Sequence, residues 1–133
     1  MSRMVFPNLP VADVERARAF WSALEFTFNE QFSDGKACCL VLNDLCSVML
    51  LQEEYFHSFH GTTPAGTGTE VLICLSADSR EEVDELCTRA AAAGATDTAE
   101  RTGGDDGPMY GGSFRDLDGH VWEVMYMDLA AMG

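Results

Sequence analysis

The sequence predicts an α+β fold made of two tandem β-α-β-β-β units, each a curved four-stranded sheet with one helix across one face. Three observations predict it. Apolar runs of strand length, bounded by turn residues, occur in the same order in both halves. One amphipathic helical pattern follows the first strand of each half. A polar, aromatic and Gly/Pro/Thr-rich stretch from Gln52 to Thr69 separates the halves. A single domain, 1–133, is expected, with unit one over 4–52, a connecting arm over 53–69 and unit two over 70–128.

In order, Val5 to Val11 reads as a strand that tolerates Pro7 and Pro10 only near an edge or a bulge. Asp13 caps a helix whose apolar stripe is Val14, Ala17, Phe20, Trp21 and Leu24. Phe26, Phe28 and Phe32 begin the second strand, and Ser33-Asp34-Gly35-Lys36 turns the chain into a third from Ala37 to Leu42. After the turn Asn43-Asp44 the fourth runs from Cys46 to Leu51. The pattern then restarts. Glu70 to Ser76 is a strand, and Ser79 caps a helix with Val83, Leu86, Cys87, Ala90 and Ala91 on its apolar face, stopped by Gly94. A short strand near Ala95 to Arg101 precedes the loop 103–108. Met109 to Arg115 and Val121 to Met127 close the chain around the turn Asp116-Leu117-Asp118-Gly119. Each sheet has one face covered by its helix, and the other needs a cover. Two such sheets facing each other would enclose a cleft for a small ligand.

Composition narrows the function. Eight Lys and Arg against 22 Asp and Glu leave a net charge of −14 over 133 residues. That field repels phosphate backbones and anionic lipid, so neither nucleic acid nor a membrane surface is an expected partner. No run approaches the ~20 apolar residues of a membrane span, and a cytoplasmic location is expected. The five cysteines, Cys38, Cys39, Cys46, Cys74 and Cys87, are odd in number and show no CxxC spacing, which reads as small core hydrophobes.

Two segments resemble a known family. Leu9-Pro10-Val11-Ala12-Asp13-Val14-Glu15-Arg16-Ala17-Arg18-Ala19-Phe20-Trp21, followed by Leu24-Glu25-Phe26, is similar to the opening of a vicinal-oxygen-chelate domain. Phe114-Arg115-Asp116-Leu117-Asp118-Gly119-His120-Val121-Trp122-Glu123 is similar to that superfamily's closing motif. The superfamily includes glyoxalase I, extradiol dioxygenases, fosfomycin-modifying enzymes and bleomycin-resistance proteins. The resemblance implies a homodimer. In metal-using relatives, four inward strand positions hold a divalent ion (Ni, Zn, Mn or Fe) that polarises substrate oxygens. Those positions fall here on Phe6, with Asn8 two residues along, on a site near Met49, on Glu70 and on Glu123. Phe cannot ligate, and a thioether suits a hard cation poorly. Absence of any metal cofactor is therefore an expectation as well.

Two functions stay open. One is a metal-free binding protein of the bleomycin-resistance kind, holding a small molecule in an apolar cleft. Phe6, Asn8, Met49, Tyr110 and Met125 are then the expected ligand contacts. The other is a divalent-metal lyase, isomerase or dioxygenase with Glu70 and Glu123 as catalytic residues and ligands. As a close pair, these carboxylates would drive one pKa up toward the range of a general base. The Lys and Arg residues form no cluster for the carboxylates of glutathione, which argues against lactoylglutathione lyase. His57 and His60, three apart on the arm, read as surface histidines. His120 should point away from the face of Glu123, and Arg115 is expected to pair with Asp116 or Asp118.

Overall fold

A computed structural model describes residues 4–59, 71–104, 107–128 and 130. The chain divides into two compact units, 1–67 and 68–133. The first contains β1 (Asn8–Val11), α1 (Val14–Ala23), β2 (Thr27–Phe28), β3 (Ala37–Val41), β4 (Ser47–Gln52) and the short helix α2 (Glu53–Ser58). Its sheet order is β1-β4-β3-β2, with β1 parallel to β4 and the other pairs antiparallel. The second contains β5 (Leu72–Ala77), α3 (Arg80–Ala92), β6 (Arg101–Thr102), β7 (Met109–Arg115) and β8 (Val121–Met127). Its order β5-β8-β7-β6, again with one parallel pair, repeats the topology of the first.

Local chemistry starts each helix where the sequence predicts. The Asp13 carboxylate accepts from the Glu15 and Arg16 amides, and the Ser79 hydroxyl accepts from Glu82. Gln52, at the end of β4, reaches back to accept from the Val14 amide and donate to Ala12 O at 3.1 Å. The α1 stripe is buried throughout, and Trp21 meets Phe20 and Phe26 edge-on at 5.2 and 5.1 Å. On α3 the stripe is narrower: Val83, Cys87 and Ala90 are buried, Leu86 is half-buried and Ala91 is exposed.

Several strand boundaries depart from the sequence reading. The first strand shortens to Asn8–Val11, with Val5 making a single bridge to Cys46; its edge position explains how Pro10 is accommodated. The expected strand through Phe32 stops at Phe28 and gives way to a 3₁₀ turn, Glu30–Phe32. Asn29 caps that turn, and the Ser33 hydroxyl ties Asn29 O to the Cys39 amide, so side chains take the hydrogen bonds a ladder would have taken. The strand expected near Ala95 to Arg101 is a single bridge at Thr96, a bulge and the two-residue β6. The polar arm begins as helix α2, and residues 60–70 lie outside the described residues.

The turn between β7 and β8 is organised by Asp116, which is 7% exposed. One carboxylate oxygen accepts from the amides of Asp118 (2.9 Å) and His120 (3.0 Å), and the other accepts from Trp122 Nε1 (2.9 Å). Burial pushes this carboxyl up; His120, the indole and the two amides pull it back. Gly112 solves a packing problem between β7 and α3: a Cβ there would lie 2.7 Å from Cys87 Sγ and 3.4 Å from Val83.

Replacing Asp116 by Ala leaves three N–H donors without their acceptor, and should cost roughly 2–4 kcal/mol in urea unfolding. Because the folded form holds the Asp116 proton more tightly than the unfolded chain, this group's contribution to stability declines as pH rises above its ordinary value of 3.8. Asp116→Asn should remove that component of the pH–stability profile. Gly112→Ala should cost about 1–3 kcal/mol. Adding Cys87→Ala, which removes the colliding sulfur, should recover part of that loss; no recovery would place the clash elsewhere.

Candidate functional site

In each sheet, alternation sends one set of side chains under the helix and the other to the open face. In the second unit the helix side carries Trp122 and Val124 of β8 and Phe114 of β7, all buried. The open face is therefore built in cross-strand rows: Leu72, Val121 and Arg115; then Cys74, Glu123 and Ser113; then Ser76, Met125 and Gly111; and finally Met127 beside Met109. Leu72, Met109 and Met127 are exposed, while Glu123, Ser113 and Met125 are half-buried. A polar central row thus crosses a face whose flanking rows are mainly apolar, with Arg115 and Ser76 as their polar members. Gly111 makes room on this face, since a Cβ there would fall 2.6 Å from Met125 Cε.

The Cys74 thiol is pushed up by burial, reinforced by the Glu123 carboxylate beside it. Cys38 is pushed up to about 12 by burial, and Cys87 rises for the same reason. Those two are packing residues, as the sequence predicts; Cys74 is exposed. Replacing Glu123 by Gln should speed alkylation of Cys74 by iodoacetamide at pH 8 by roughly twofold to fivefold, through its thiolate fraction. An unchanged rate would contradict the adjacency of the two groups.

On the first sheet, Asn8 stands opposite Met49, which pairs in turn with Cys39, and Phe6 shares the face of Asn8 by alternation. Phe6 and Asn8 are exposed and Met49 is half-buried. Asn8 Nδ2 donates to Phe6 O at 2.7 Å, which folds the amide back onto its own strand. This face offers one amide oxygen, a thioether and an aromatic ring, a donor set that does not fit a hard divalent ion. Among the described residues no three His, Cys, Asp or Glu converge to hold a metal. Glu70 and His60, expected near Glu123 and His57, lie outside the described residues.

Two expected placements change. Tyr110 does not share the face of Glu123 and Met125. It pairs with Tyr126 on the α3 side, where its hydroxyl donates to Asp84 Oδ1 at 2.7 Å. Arg80 lies over both tyrosine rings at 5.3 and 5.8 Å and binds the backbone oxygens of Gly104 and Gly107. Asp84 also takes Arg101 Nε at 2.7 Å; these two hydrogen bonds hold its carboxyl low. Arg115 pairs with Asp97 at 3.2 Å and donates to Gly119 O at 3.0 Å, rather than meeting Asp116 or Asp118. Asp116 is unavailable because the indole and two amides occupy it. Sequence reasoning missed Cys74 and Ser113 as neighbours of Glu123. Strand alternation holds that signal, but only once the register is known.

Residues 3–43 match the family model described as bleomycin resistance protein-like N-terminal. A hypothetical protein from S. aureus is similar over 95% of this chain and 94% of its own, with 28% identity and a TM-score of 0.79. A glyoxalase/bleomycin resistance protein/dioxygenase family enzyme from Burkholderia phytofirmans is similar at 19% identity and a TM-score of 0.79, over 95% of this chain and 99% of that one. This is the vicinal-oxygen-chelate fold. A fosfomycin resistance protein from Listeria monocytogenes shares it at 21% identity and a TM-score of 0.71, covering 98% of this chain and 97% of that one. A search of curated proteins gave no match. The vicinal-oxygen-chelate fold carries several chemistries, so function has to be argued from the side chains.

Proposed function

We propose that this vicinal-oxygen-chelate protein binds a small molecule on the open face of its second sheet and does so without a family-type metal ion. The observation that carries the reading is the row Cys74–Glu123–Ser113, flanked on the same face by the apolar side chains of Leu72, Val121, Met125, Met109 and Met127 and by Arg115 and Ser76 at its margins. A few polar groups amid adaptable apolar ones are what orients and holds an organic ligand. Glu123 accepts a hydrogen bond from the ligand's donor, Ser113 offers a hydroxyl, and the methionines adapt to its apolar body. Phe6 and Met49 support the metal-free reading, because neither supplies the oxygen or nitrogen ligand that the superfamily uses at those places. A homodimer is part of the proposal: Leu72, Met109 and Met127 are 50%, 37% and 40% exposed, an apolar surface that favours a cover. A cytoplasmic location accords with the acidic, thiol-bearing sequence.

The test is metal affinity. Protein purified without a histidine tag is titrated with Ni²⁺, Zn²⁺, Mn²⁺ and, anaerobically, Fe²⁺, alongside a Glu70→Gln/Glu123→Gln variant. The expected result is weak binding, equal in both proteins. Near-stoichiometric binding that disappears in the variant would overturn the proposal in favour of a divalent-metal lyase, isomerase or dioxygenase.

A further inference from the structure

Beside the open face of the second sheet the chain makes a bulge with a defined origin. Thr96 pairs with Arg115 through two backbone hydrogen bonds, 3.0 and 2.8 Å, and the next paired position is Arg101 opposite Gly112. Four residues, 97–100, therefore stand against two, Ser113 and Phe114. The surplus pulls the backbone away from β7 and opens a cavity of about 680 Å³ lined by Asp97, Thr98, Ala99, Glu100, Ser113, Phe114, Arg115 and Val121. That volume is the size of an ordinary small-molecule site. Bulges of this kind are frequent beside binding sites, where they re-aim side chains.

We infer that this cavity receives the charged head of a small organic ammonium ion, its apolar body lying against Ala99 and Val121. Charge carries the choice. The lining holds two carboxylates and one guanidinium, and the guanidinium is already engaged by Asp97 and by Gly119 O. Glu100 accepts from Arg101 through its backbone oxygen, and among the described residues no ion pair engages its carboxylate. The hydroxyls of Thr98 and Ser113 add acceptors, and the net charge of −14 favours the approach of a cation. The bulge is held in place before any ligand arrives. Asp97 has a left-handed backbone, φ 55°, and is anchored to Arg115; Arg101 Nη1 grips the carbonyls of Thr98 (2.8 Å) and Glu100 (2.9 Å) from the other side. A pre-formed site spares the ligand the cost of ordering the loop.

The inference rests on the reading that this face takes a small molecule, and it assigns the charge of that molecule. Phenethylamine and phenylacetate share a ring and a similar length but carry opposite charges. Calorimetric titration should give saturable binding of phenethylamine and none of phenylacetate. Glu100→Gln should weaken the amine by up to ~5-fold, since an ion pair to this exposed carboxylate is worth up to about 1 kcal/mol. Amide shifts in ¹⁵N spectra should concentrate at Thr98, Ala99, Glu100 and Ser113. Equal binding of phenylacetate, indifference of the amine to Glu100→Gln, or no saturation at millimolar amine would each overturn the inference. If Glu123→Gln weakens binding and Glu100→Gln does not, the ligand sits on the central row. That outcome rejects the ammonium pocket and leaves the proposed function standing.

Discussion

Asp116 is a buried acid with every oxygen occupied, and the geometry of the second sheet follows from how it is occupied. By taking the amides of Asp118 and His120 it closes the turn between β7 and β8, and by taking Trp122 Nε1 it pins the first helix-facing residue of β8. With the turn closed in this way, Trp122 opposes Phe114 and Glu123 opposes Ser113. A slip of one residue would drive Glu123 under α3 and expose the indole. The carboxylate's desolvation is offset in part by its donors, and those donors meet it in the register that sets Glu123 beside Ser113. The aspartate of the closing motif therefore acts through architecture, and the chemistry is left to residues that the architecture aims.

The two units show how one topology is put to different uses. On the first sheet the face opposite the helix carries buried Ala37, Cys39, Ser47 and Leu51 beside half-buried Met49 and exposed Asn8 at its edge. On the second, the corresponding face carries exposed Leu72 and Cys74 and half-buried Glu123 and Met125. The repeat in connectivity is strict, whereas the second face is the more exposed of the two. Hydrogen-bond geometry constrains the order of strands, whereas each face is free to vary in what it presents.

Charged groups in the second unit also divide by surroundings. Tyr110, Asp84 and Arg101 make an exposed network on the α3 side that keeps Asp84 ionised, so its contribution to stability is present above the ordinary carboxylate range and lost as pH falls. Asp116 has the opposite sign because it is buried. Arg80 and Arg101 meanwhile give guanidinium donors to loop carbonyls, tying Gly104, Gly107 and the 97–100 bulge to the second unit. Among the described residues, Arg80, Arg101 and Arg115 thus serve as fasteners of the fold.

Much of the fold was legible because it depends on local chemistry. Capping by Asp13 and Ser79, the α1 stripe, the αL glycine at Gly94 and the bounds of β7 and β8 each follow from a short window of sequence. The tandem order and the family resemblance were legible too, from the opening and closing motifs. Other features needed the tertiary structure. Whether residues 95–101 continue as a strand depends on how many of them β7 can pair, which no local pattern states. Tyr110 was an expected ligand contact until the register set it on the α3 side, and the partner of Arg115 proved to be Asp97, because Asp116 was already committed. The sequence by itself determined which elements form and which residue types are available for chemistry. Only the tertiary structure decided which of them share a face, because strand register and the width of a bulge are settled by non-local pairing and by the burial of groups such as Asp116.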